Sequence, residues 1–281
     1  MRRTCLLVVV VLLAACGGDG DPVVAGDGAD DAQRYTASTT VLESPDHGPQ
    51  LCIGGVATSY PPQCGGPDVV GWGWAEVDGE ESANGTTWGD FAVVGTWDGA
   101  ALTLTERPGP PSTGPGREVD LSTPCATPAG GWSVVAAAKL GGQGAALEYA
   151  NAEADFAGAW LDQSINPASR DEPPDESAMN DPAKLVLNVR FTGDLERHEA
   201  EIRELWGGPL CITEGARTLQ ELLDVQRELG ESLDAVGSGI DSTIPALLVS
   251  VVVAEESLQT SLDERFGEGA VIVTGALRPL S

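Results

Sequence analysis

Lysine is almost missing from this chain: Lys139 and Lys184 are the only two, and Lys and Arg together number 15 against 43 Asp and Glu. The formal net charge of −28 follows. Binding to phosphate backbones or anionic headgroups needs a basic face, so this balance argues against nucleic acid as a partner. Histidine is as scarce, with His47 and His198 alone, and no Cys-x-x-Cys occurs among the six cysteines. Zinc sites are built from such ligands at short spacing, so no metal and no cofactor is expected. The apolar run Leu6–Leu13 falls far short of the ~20 residues that span a bilayer.

Catalytic signatures are missing too. Ser238 lies between Gly237 and Gly239 without the wider Gly-x-Ser-x-Gly of a nucleophile elbow. His198-Glu199 has no second histidine at the spacing that a zinc-protease helix requires. Gly71-x-Gly73 and Gly141-Gly142-x-Gly144 are too loose to mean phosphate binding in a chain with 36 glycines.

What is present begins with an address. Arg2 and Arg3 precede the apolar run, which ends in Leu13-Ala14-Ala15-Cys16. A basic start, an apolar middle and small residues before a cut form a secretory signal. The Leu-Ala-Ala-Cys ending resembles the lipobox of bacterial lipoproteins, and the resemblance covers this segment only. It implies that residues 1–15 are a signal peptide removed by cleavage. It also implies that Cys16 is the lipidation site, carrying acyl chains of the palmitate kind. The protein is then expected on the extracytoplasmic face of the cell membrane, attached through its lipid anchor. An ordinary secreted protein with a chance cysteine is the alternative. Residues 16–34, rich in Gly and Asp, cannot bury enough apolar area to fold and read as a flexible acidic tether.

An exported protein meets an oxidising space, so Cys52, Cys64, Cys125 and Cys211 read as two disulfides with three possible connectivities. Cys52 and Cys64 flank a short stretch containing Gly54-Gly55 and Pro61-Pro62, which favours pairing them. Cys125 is then left for Cys211, closing a long loop.

The overall class reads as α+β. Residues 35–124 form a β-rich domain: Val70, Trp72 and Trp74 alternate with glycines, and Phe91, Val93 and Trp97 repeat the pattern before the hairpin signal Asp98-Gly99. A small antiparallel β-barrel or sandwich is expected, with an OB-type barrel as the first guess. Residues 125–183 are a Pro/Gly-rich connection with uncertain elements. Residues 184–281 alternate strand and helix. Thr218 and Glu221 make a capping box there, and Asp194 is placed as an N-cap. Two βαβ units, each stopped by an aromatic-glycine pair, suggest one four-stranded sheet with helices on one face, a ferredoxin-like sandwich.

Two candidate sites emerge. Trp72, Trp74 and Trp97 could form a platform on which sugar rings or prolines stack, although the barrel interior claims large aromatics equally well. His198 lies on the apolar stripe of its helix with Leu195 and Ile202, where it reads as a packed histidine, a catalytic role being its competitor. The functional expectation is a non-catalytic binding or structural module for another envelope component, protein or glycan. An envelope hydrolase using His198 and a regulatory or assembly module are the alternatives.

Overall fold

The computed structural model describes residues 32–112, 119–170 and 175–280. The stretch read as a signal peptide, Cys16 and nearly all of the stretch read as an acidic tether lie outside them. The chain is mixed α+β and dominated by sheet.

Alternating apolar residues with Gly turns build six strands in the amino-terminal part. These are β1 (Arg34–Ser44), β2 (His47–Leu51), β3 (Asp68–Val70), β4 (Glu81–Ala83), β5 (Thr86–Trp97) and β6 (Ala101–Leu104). The order β1-β2-β3-β6-β5 closes on itself, because β5 also pairs antiparallel with β1. One contact of this ring, β3 with β6, is parallel, so the sheet is not wholly antiparallel. Inside the ring, Val41, Leu51, Phe91, Val93 and Leu102 are buried together. Asp98-Gly99 makes the expected hairpin, with Asp98 Oδ1 accepting from the Ala100 and Ala101 amides and Gly99 at φ +100°. The strand expected through Trp74 stops early. Gly71 takes φ +85° and turns the chain, and Trp74–Glu76 is a single 3-10 turn.

The rest is built from two copies of one pattern: helix, strand, strand, helix, strand. The first copy has α1 (Gln143–Ala152), β7 (Phe156–Asp162), a short α2 (Glu176–Met179), β8 (Val186–Phe191), α3 (Leu195–Leu205) and β9 (Leu210–Glu214). The second has α4 (Leu219–Ser232), β10 (Gly237–Asp241), β11 (Ala246–Val253), α5 (Glu256–Phe266) and β12 (Val271–Pro279). In each, the first strand runs antiparallel to the second and the second parallel to the third. The registers coincide: Leu161 faces Leu187, which faces Leu210, as Ile240 faces Leu247, which faces Val271. Each sheet buries one face under its own helices, around Phe191, Ile202 and Trp206 in one copy and Leu222, Leu247 and Val249 in the other.

This corrects the single four-stranded ferredoxin-like sheet. The strands of the two βαβ units fall in different sheets, because each unit recruits a further strand, β7 or β10, and β12 continues past its own sheet to pair with β1. Leu277 of β12 is thereby buried inside the ring. The uncertain segment 125–183 supplies α1 and β7. Helix α1 is hard to read because it buries only two alanines, Ala146 and Ala150.

Asp194 takes a left-handed backbone (φ 49°) and its side chain makes no cap. The capping box of α4 forms, with Glu221 N donating to Thr218 Oγ1 at 3.1 Å and Thr218 N to Glu221 Oε2 at 2.7 Å. Thr218→Ala is therefore expected to cost about 1 kcal/mol in urea unfolding, with the unfolding slope unchanged.

Candidate functional site

His198 sits at the centre of a cluster with Tyr149, Glu153, Asp155 and Arg197. Helix α3 turns it inward, where it is fully buried. Its ring stacks on Phe191 of β8, 3.6 Å between centroids and 2° between planes. Nε2 lies 2.9 Å from Asp155 Oδ2, and Nδ1 lies 2.9 Å from the Tyr149 hydroxyl. A carboxylate only accepts, so the bond to Asp155 places a hydrogen on Nε2. Asp155 occupies the turn after α1, and its backbone oxygen takes the Thr192 amide at 2.9 Å. One imidazole thus ties helix α3 to helix α1 and to the start of the sheet.

Arg197 closes the cluster from outside. Nη2 donates to Glu153 Oε2 at 2.9 Å and stands 3.0 Å from His198 Nε2, while Nη1 donates to the Tyr149 hydroxyl at 3.3 Å. Burial, with Glu153 next, pushes the Tyr149 phenol up, so that hydroxyl stays protonated and is a poor nucleophile. The ligand atoms of Glu153, Asp155 and His198 lie within 4.8 Å of one another, close enough to hold a metal ion. The guanidinium already supplies the positive charge at that place, and a cation would have to displace it. The cluster is chemically complete as it stands.

Trp72 and Trp74 plug the ring. They meet edge to face at 5.2 Å, and both pack against Phe91, at 5.1 and 6.2 Å. The Trp74 indole donates to Glu43 Oε2 at 2.5 Å. Trp97 stands apart, lining a hollow with Ile53 and Val252 where the ring meets the second copy. All three indoles pack against the core of the ring. Trp88 instead meets the exposed Tyr60 edge to face at 5.6 Å.

The described cysteines pair as the turn-rich spacing suggests, Cys52 with Cys64 and Cys125 with Cys211. The second bridge fastens an irregular strip, residues 119–125, across the face of β7, β8 and β9 that the helices leave bare. Trp160 Nε1 donates to Leu121 O at 3.1 Å, and Thr123 N donates to Asp162 Oδ2 at 2.8 Å.

That strip forms one wall of a cleft of about 510 Å³ between the two copies. Val119, Leu121 and Trp160 stand on one side, and Gly237, Gly239 and Leu248 on the other. Cross-strand register puts Gly239 opposite Leu248 and Gly237 opposite Ser250, so these four share the sheet face turned to the cleft. The hollow exists because two of them are glycines: a Cβ at either would meet nothing within 4 Å. Arg190 lies beneath, its guanidinium 4.9 Å from the Trp160 ring centroid. Burial lowers its pKa, and nearby Asp241 works against that shift. The second copy is seated on the first by its β10–β11 turn, where a Cβ on Gly158 would come within 2.9 Å of Ser242.

Sequence reasoning missed Tyr149, Glu153, Asp155, Arg197, Trp160 and the two cleft glycines. Asp155 and His198 are 43 positions apart, with nothing in between to announce their meeting. Gly237-Ser-Gly239 did carry a signal, since glycine inside a strand often marks close approach or an opening. Comparison with family models, curated proteins and solved structures found no match to this chain.

Proposed function

We propose that this protein is a lipoprotein held at the extracytoplasmic face of the cell membrane by acylated Cys16, where its folded part binds another envelope component without catalysing a reaction. The lipobox-like Leu13-Ala14-Ala15-Cys16 supports the anchor. Among the described residues no helix is long and apolar enough to cross a membrane. The five-stranded ring, with its third and last strands parallel, supports an OB-type barrel as the amino-terminal module.

One contrast carries the binding reading. The histidine–carboxylate group is sealed by Phe191 and Arg197, whereas the cleft between the two copies is open and lined by aliphatic, indole and hydroxyl groups. A hydrolase would need its substrate to reach His198, and both ring nitrogens are already engaged. Apolar clefts with a few polar groups are the usual form of binding sites.

The test has two parts. Cys16→Ser should abolish palmitate labelling and move the protein from the membrane fraction to the soluble fraction, because acyl chains alone provide the attachment. The acylated full chain, used as bait in detergent-solubilised envelopes, should retain a partner. An unacylated natural polypeptide, or repeated recovery of bait alone, would remove the proposal.

A further inference from the structure

The two copies differ on one face, and the difference bears on what enters the cleft. Asp162 and Asp241 end equivalent strands, and each accepts the amide two residues on, Ser164 N and Thr243 N, both at 2.8 Å. Counting back along the shared register, Trp160 corresponds to Gly239, and across the sheets Cys211 corresponds to Ile272. The first copy covers its bare sheet face with its own strip 119–125, fixed through Trp160, Asp162 and Cys211. In the second copy the same face carries a hollow over Gly237 and Gly239. Strand β10 is also the last in its sheet, with no strand on its outer side among the described residues.

We infer that the second copy receives from a partner the cover that the first copy takes from its own chain: an extended polypeptide segment lying along β10, with a large apolar side chain in the hollow and basic residues on its flanks. This deepens the binding reading above and rests on it. The outer edge of β10 offers backbone donors and acceptors, which a strand-like segment satisfies and which a sugar or an acyl chain cannot match in sequence. The edge carries none of the usual protections: Gly-Ser-Gly-Ile-Asp has no lysine, no proline and no bulge. The hollow is apolar, so it selects a hydrophobic side chain, in the place where the first copy sets Trp160. Charge fixes the flanks. The chain carries −28, and Asp120 stands exposed on the strip between the cleft residues Val119 and Leu121, so a basic segment is attracted and an acidic one repelled.

The experiment follows the amide resonances of the purified full chain during titration with four probes. The first is the peptide Lys-Thr-Val-Trp-Val-Thr-Lys, and the second is the same peptide with Glu at both ends. Dodecanoate and chitotriose are the others. The Lys-ended peptide is expected to shift Gly237 to Asp241 and leave the ring residues still, with the Glu-ended peptide about tenfold weaker. Gly239→Trp, which fills the hollow at a position with open space, should weaken the Lys-ended peptide about tenfold or more, and Gly237→Leu should act in the same direction. Shifts produced by dodecanoate or chitotriose in place of the peptide would overturn the assignment, and so would silence from all four probes. Bait carrying Gly239→Trp separates the two levels. If it retains the envelope partner undiminished, this site is wrong while the binding reading stands.

Discussion

His198→Ala is expected to destabilise the fold by about 3 kcal/mol or more, measured by denaturant unfolding, while leaving partner retention intact at temperatures where the variant stays folded. The cost has two sources. Deleting a fully buried ring leaves a void against Phe191, and the loss of large core rings typically costs about 3–5 kcal/mol. It also strands the Asp155 carboxylate and leaves the Tyr149 hydroxyl with only the longer bond from Arg197, since each loses its bond to the imidazole. A buried polar group left without its partner costs roughly 1–3 kcal/mol, discounted here because the Asp155 side chain is 25% exposed. His198→Gln should recover part of the loss, since an amide can still donate to Asp155. A general acid or base would behave differently: alanine would remove function with little change in stability. Loss of partner retention in a folded His198→Ala protein would therefore show that the buried cluster does more than hold α3 against α1.

The sequence made legible those elements whose residues carry a strong local pattern. Strand β8 shows itself through the alternation of Leu187, Val189 and Phe191, and α4 announces itself through Thr218, Glu221 and its leucine stripe. Strand β10 stayed hidden because Gly-Ser-Gly has low β propensity and exists only by pairing with β11. Helix α1 stayed hidden because alanines carry its contact face. The division into two sheets was invisible for a different reason. Strand pairing is a long-range choice, and four strands in two βαβ units are compatible with either one sheet or two until β7 and β10 are recognised. The strand expected through Trp72 and Trp74 ended sooner for a local reason: alternation holds only while the strand lasts, and Gly71 ends β3 before Trp72. The His198 position was readable from its helix stripe, but its carboxylate partner lies in a turn that carries no pattern. The cleft was the least legible feature, since it depends on side chains that are missing at Gly237 and Gly239.

Removing the bridge between Cys125 and Cys211 is expected to have the other large effect, and to act on binding as well. Its sequence separation is 86, against 12 for the bridge between Cys52 and Cys64. In the chain-entropy account the longer loop contributes roughly 4–5 kcal/mol and the shorter about 3 kcal/mol, so Cys125→Ala/Cys211→Ala should lower the unfolding midpoint more than Cys52→Ala/Cys64→Ala. The strip 119–125 would then be held by the bonds from Trp160 Nε1 to Leu121 O and from Thr123 N to Asp162 Oδ2, and the Thr123 amide should exchange faster with solvent. Because Val119 and Leu121 form one wall of the cleft, the same variant should bind the Lys-ended peptide more weakly. Acid supplies an independent check. Burial raises the Asp162 carboxyl, but hydrogen bonds from Ser164 and Thr123 outweigh it and hold the group below its ordinary 3.8. A carboxyl depressed in the folded state adds stability above its unfolded value, and that stability is lost as the pH falls through the folded one. Freeing Thr123 removes part of the depression, so the stability gap between wild type and variant should be widest above about pH 4 and should narrow as the solution is made more acid. A gap that stays constant across that range would mean that the strip keeps its place over Trp160 and Asp162 without the disulfide.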